Sequence, residues 1–229
     1  MPLFFNSQSL PPAGNEYVAW VDIMGTQAAM SRSIDISANF IFKLHVAALQ
    51  APHANVEIYP VMDGFYASSQ NQQDMLEFLR NIFQSVADEF NQERNPLHRF
   101  IIRGGLAFGP VIHGRAIGPQ ASTVLNANPG YGDSILLGMP MIQAHSSESI
   151  APPFGVAVHE SARAFSSAGA HPIHFMWWKW HNQTNNAIWQ QLTVDLNAHF
   201  NWCSSQSMAI NYNLDRIKTH SEMAKQYLV

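Results

Sequence analysis

Residues 74–90 place Met75, Leu76, Leu79, Ile82, Phe83, Val86 and Phe90 at i, i+3, i+4 and i+7 intervals. That spacing predicts an amphipathic helix with one apolar stripe. Residues 33–50 repeat it with Phe40, Ile41, Leu44 and Ala48, and the pattern stops before Pro52. Other stretches are β-rich. Residues 16–23 are dense in aromatic and β-branched side chains and end at Met24-Gly25, which predicts a buried strand turning at Gly25. Residues 56–61 and 64–68 flank Met62-Asp63-Gly64, a hairpin signal that puts Asp63 at the tip. Residues 99–108 read as a strand, and Gly109-Pro110 predicts a turn into a second run over 111–115. Residues 118–133, rich in Gly, Pro and Asn, predict a long loop. A helix starting at Ser134 or Met139 and ending at Glu148, a strand over 154–158, a short helix over 160–165, a strand over 172–178 and a helix over 213–228 complete the reading. Helices alternating with hairpins predict an α+β sandwich, a mainly antiparallel sheet covered by helices.

Composition narrows the class. The 229 residues are 47% hydrophobic and 12% charged, enough apolar material for a large core and far from the signature of disorder. A net charge of −4 without any Lys/Arg run argues against nucleic acid and anionic membrane as partners. The apolar N-terminal stretch breaks at Asn6, too short for a signal core or a span, so the expected residence is cytoplasmic. The single Cys203 excludes an internal disulfide and a multi-cysteine zinc site, and predicts a buried small hydrophobe. With no repeat or low-complexity break, residues 1–229 read as one domain with its core over 16–178 and a C-terminal extension, helical over about 205–228.

Two acids stand out. Asp22 ends one hydrophobic strand and Asp63 sits between two others, positions where a carboxylate is costly unless it is paired or cation-bound. On neighbouring strands the two could share hard divalent ions and hold a triphosphate. Equally, Asp63 could simply make its turn and Asp22 cap the following helix. Gly25 allows backbone N–H groups after Asp22 to face an anion. Neither a dinucleotide-binding glycine pattern nor a nucleophile elbow is present.

Four motifs in order carry a resemblance: Val18-Ala-Trp-Val-Asp-Ile-Met-Gly, Met62-Asp-Gly-Phe, Ile102-Arg-Gly-Gly-Leu-Ala-Phe-Gly-Pro-Val, and Gly132-Asp-Ser followed by a helix ending Ala144-His-Ser-Ser-Glu-Ser. Together they resemble the class III nucleotidyl cyclase domain, with its ferredoxin-like sandwich. The resemblance implies that Asp22 and Asp63, assisted by the Ile23 carbonyl, hold two Mn²⁺ or Mg²⁺ ions. It also implies that Met24, Gly25, Thr26 and Arg103 contact a nucleoside triphosphate, and that a homodimer completes each site.

The departures point to a subgroup. Where purine cyclases carry a base-reading Lys, this chain has Tyr59; the partner Asp falls near Pro129, and the late-helix Asn and Arg fall near Ile142 and Ser146. Tyr at the base-reading position and an Arg-Gly-Gly strand are similar to the pyrimidine cyclases of bacterial Pycsar antiphage defence. That implies conversion of UTP, before CTP, to a 3′,5′-cyclic nucleotide that gates a separate effector, with Tyr59 filling the space beside a one-ring base and its hydroxyl making a polar contact. A cytidylate cyclase and a non-catalytic nucleotide-binding module remain alternatives.

Overall fold

The computed structural model describes residues 5–52, 54–183 and 186–228. A seven-strand sheet runs β2 (Glu57–Val61), β3 (Gly64–Ser69), β1 (Gly14–Ile23), β4 (Ile102–His113), β6 (Val156–Val158), β7 (Trp177–Trp178), with β5 (Leu136–Leu137) on the far end of β4. All pairs are antiparallel except β4 with β6. This is the expected α+β sandwich.

Alternation along β1 sends Tyr17, Ala19, Val21 and Ile23 to one face and Val18, Trp20 and Asp22 to the other. On the first face pack α2 (Ile34–Gln50) and α3 (Gln72–Gln92), with α8 (Asn186–Ser205) against α3, and together they bury the main core. The Asn71 side chain caps α3 by accepting from the backbone N–H groups of Gln73 and Asp74, and the predicted stripe from Met75 to Phe90 is buried. The second face carries a smaller cluster of Val18, Trp20, Tyr59, Ala107, Val111, Leu136 and Ala144. It is only partly covered, by α6 (Met139–Glu148). That helix lies so close that a Cβ on Gly105 would stand 1.9 Å from the Ala144 carbonyl oxygen.

Several elements differ from the sequence reading. Gly109-Pro110 is no turn: β4 runs straight through it, pairing Gly109 with Glu16 and Pro110 with Asn15. Pro110 lies beyond the last β6 partner at Leu106 and before the first β5 partner at Ile112, so its missing N–H breaks no ladder on that side. The 118–133 loop contains two one-turn helices, α4 (Thr123–Asn126) and α5 (Pro129–Gly132). The 172–178 strand shortens to β7, and the 20-residue α8 was not expected. The short helix α7 (Glu160–Ala164) and the terminal α9 (Leu214–Tyr227) lie where helix was expected, whereas the short helix α1 (Thr26–Met30), ahead of the expected helix over 33–50, was not.

Candidate active site

Asp22 is the penultimate residue of β1, and Asp63 stands at the β2–β3 tip, whose two connecting residues are Met62 and Asp63. Met62 takes a left-handed φ of 51°, a conformation that costs a non-glycine residue about 1 kcal/mol. Gly64 is needed for close approach: a Cβ there would lie 2.3 Å from the Val21 carbonyl oxygen. The hairpin tip therefore rests against β1, which brings the Asp63 charge to Asp22.

Electrostatics records that approach. The Asp22 carboxyl is pushed up to about 7, first by burial and then by the negative charges of Asp63 and Glu148, against a hydrogen bond from the Ile23 backbone N–H and the Arg103 charge. Its Oδ1 is buried without a hydrogen-bond partner. Such an atom is expensive unless a cation completes it.

Arg103 is the cross-strand neighbour of Asp22, but its guanidinium ion-pairs with the buried Glu148 at the end of α6 and donates to the Ser149 carbonyl at 3.5 Å. The Ile23 carbonyl accepts the Thr26 hydroxyl at 3.0 Å, and Gly25 turns the chain at φ 80°. Beside Met24, Gly25 and Thr26 opens a cavity of about 1250 Å³, into which Arg32, Arg103, Tyr212, Arg216 and His220 also face. Asp22, Ile23, Met24, Gly25, Thr26, Asp63 and Arg103 stand at one end of the sheet, and of these all but the two aspartates line that cavity.

Among the described residues no three His, Cys, Asp or Glu side chains gather to hold a metal unaided. Two carboxylates with one unpartnered oxygen fit a hard divalent ion that takes its remaining ligands from water and a substrate's phosphates.

Tyr59 lies elsewhere on the same face, 4% exposed. Its hydroxyl is engaged within the chain by Glu57 Oε2 at 2.8 Å and His113 Nδ1 at 2.5 Å. Burial, then the Glu16 charge, push its ionisation up to about 12. Pro129 opens α5, while Ile142 and Ser146 lie on the exposed side of α6. Sequence reasoning missed Glu16, His113 and Glu148; only Glu16 carried a signal, sharing the alternation that puts Val18, Trp20 and Asp22 on one face.

No protein-family model matches the chain, and no curated protein matches its sequence. Solved structures do match. A dimeric guanylyl cyclase domain of the RhoGC fusion protein from the aquatic fungus Blastocladiella emersonii superposes with a TM-score of 0.51 at 20% identity, covering 68% of this chain and 84% of that one. The chain has the nucleotide-cyclase fold. A monomeric form of the same fungal domain gives 0.50 at 17% identity, over 67% of this chain and 85% of that one. A bacterial light-regulated adenylyl cyclase gives 0.50 at 18% identity, over 63% of this chain and 42% of the larger protein. At such identities the shared property is the cyclase fold, and chemistry has to be argued from the site.

Proposed function

We propose that this chain is a pyrimidine nucleotide cyclase that converts UTP to 3′,5′-cyclic UMP and pyrophosphate, its product serving as a second messenger that gates an effector in antiphage defence. The observation that carries the cyclase reading is the unpartnered Asp22 Oδ1 held beside Asp63 on a cyclase fold. Asp22, Asp63 and the Ile23 carbonyl would hold two Mn²⁺ or Mg²⁺ ions, which supply charge neutralisation of the triphosphate and acidify the ribose 3′-hydroxyl. In the reaction the 3′-oxygen loses its proton to water and bonds to the α-phosphorus, while the bond from that phosphorus to the bridging oxygen breaks and pyrophosphate leaves with the electron pair. The chain's part is positioning: the turn at Met24, Gly25 and Thr26 would border the triphosphate end, with the Arg103–Glu148 pair beside it.

Base choice would rest on Tyr59, buried on the face that carries Asp22, with its ring on this reading taking the place of a purine's second ring. A homodimer accords with the uncovered side of the site face, where Met62, Val124, Tyr131, Leu137, Met139 and Ile142 are all exposed. The test is incubation of the purified chain with each of the four ribonucleoside triphosphates and Mn²⁺, followed by mass analysis. Cyclic UMP as the dominant product supports the reading, and cyclic CMP moves it to the other pyrimidine. Cyclic AMP or cyclic GMP overturns the part built on Tyr59. A folded chain that makes none of them, with any divalent ion, overturns the enzyme reading.

A further inference from the structure

At the end of the sheet face remote from Asp22, four titratable side chains from three strands converge. Tyr59 and Glu57 come from β2, Glu16 from β1 and His113 from the last position of β4. His113 Nε2 lies 2.9 Å from Glu16 Oε1, Gln70 Nε2 donates to the same oxygen at 3.5 Å, and Arg115 ion-pairs with Glu57 Oε1. The negative charge of Asp133 also reaches Tyr59. Glu16 and Tyr59 are both buried, so this is a built network rather than a surface accident.

Hydrogen counting fixes where the phenol's own hydrogen goes. A phenol has one hydrogen, and Tyr59 spends it on the Glu57 carboxylate, which can only accept. His113 Nδ1 stands 2.5 Å from the phenol oxygen and 3.3 Å from Glu57 Oε2, while Nε2 faces Glu16 Oε1. The imidazole thus bridges the two carboxylates and touches the phenol, and Arg115 closes the network at Glu57.

We propose that His113, oriented by Glu16, is the positioning residue of the base-reading Tyr59. The inference rests on the reading of Tyr59 given above and deepens it. With His113 Nδ1 on one side of the phenol oxygen and Glu57 on the other, the hydroxyl is held away from any ligand, so Tyr59 discriminates by the fixed place of its ring and not by a free hydroxyl. A ring held at its far end cannot swing aside for a two-ring base; a released one can. Selectivity for pyrimidine over purine therefore depends on a histidine that touches no nucleotide.

The test compares the full-length chain with His113→Ala, His113→Gln, Glu16→Gln and Tyr59→Phe. kcat and KM are measured for UTP, CTP, ATP and GTP with Mn²⁺, and affinities for the same four by calorimetry. His113→Ala and Tyr59→Phe are expected to lower the pyrimidine-to-purine ratio of kcat/KM by about tenfold or more, mainly through KM. Glu16→Gln should shift it less, and His113→Gln, whose amide can still donate to the phenol, should recover part of it. A uniform fall for all four triphosphates, with only the melting temperature lowered, overturns the positioning role. Should His113→Ala fail to fold, the near-isosteric Glu16→Gln decides on the same criterion. A wild-type chain that prefers purines defeats the pyrimidine reading, and the shift in ratio still judges His113. A wild-type chain that binds none of the four defeats both.

Discussion

Asp22 and Arg103 stand directly opposite each other on β1 and β4, yet the guanidinium is committed to Glu148 and leaves Asp22 Oδ1 buried and unpartnered. Opposite charges on adjacent strands would ordinarily neutralise each other. Here α6 takes the arginine, and the aspartate keeps an electrostatic demand that Asp63 makes greater.

Replacing Asp22 should therefore separate function from stability. Asp22→Asn removes a carboxylate whose ionisation is resisted up to about pH 7, so at pH 8 the variant should gain about 1–2 kcal/mol, discounted for partial solvent screening. The melting temperature should rise by about 2–8 °C, read by scanning calorimetry without added metal. Cyclase turnover should fall by roughly 10²-fold or more, as it should in Asp63→Ala, measured with Mn²⁺ and UTP. A variant that keeps full turnover removes Asp22 from the site.

The Arg103–Glu148 pair predicts a strong non-additivity. Arg103→Met alone leaves Glu148 buried among like charges and should cost about 3 kcal/mol, whereas Arg103→Met with Glu148→Met should recover most of that loss. Urea unfolding of the two single variants and the double variant measures the coupling.

Gly105→Ala tests the closeness of α6. The added methyl would meet the Ala144 carbonyl at 1.9 Å and the Glu148 backbone nitrogen at 2.8 Å, both parts of a helix that cannot yield locally. A loss of about 3 kcal/mol or more is expected in urea unfolding. Gly130→Ala, where nothing stands within 4 Å, should stay near wild type in the same measurement.

His199 sets an acid limit. Burial, then the Arg99 charge, hold it down at about 4 against an ordinary value of 6.5, with Nδ1 buried and unpartnered and Nε2 against Cys203 Sγ at 3.4 Å. The unfolded chain binds the proton more readily, so stability is full above about pH 6.5 and falls as pH drops toward 4. His199→Phe should remove on the order of 2–3 kcal/mol of that acid sensitivity, seen as a flatter melting temperature between pH 7 and 4.5.

Much of the candidate site could be read along the chain because β-alternation and a hairpin are local. Asp22 inherits its face from Val18 and Trp20, and Asp63 its tip from the runs on either side. Arg103 was harder: its cross-strand place is set by register, but its partner comes from a helix 45 positions later. The helix α8 escaped notice because Leu192, Leu196, Phe200 and Cys203 form a single narrow stripe among Asn, Gln and Thr. Reading Gly109-Pro110 as a turn failed because turn residues are tolerated where a strand has an open edge, and openness is a tertiary fact. The hydroxyl of Tyr59 was expected at the base, but Glu57 and His113, 56 positions apart, claim it, and no local pattern pairs them.

The place of β1 between β3 and β4 also sets a timetable for synthesis. The β2–β3 hairpin with β1 beside β3 can close as soon as residue 69 has left the ribosome, but the other edge of β1 waits for β4. At about 5–20 residues per second the 81 positions from Asp22 to Arg103 take roughly 4–16 s, during which a nascent strand bearing Trp20 and Val21 shows bare N–H and C=O groups to neighbouring chains. Expression at low temperature or with a nascent-chain chaperone should therefore raise soluble yield more than any change to α9, whose arrival comes after that edge has closed.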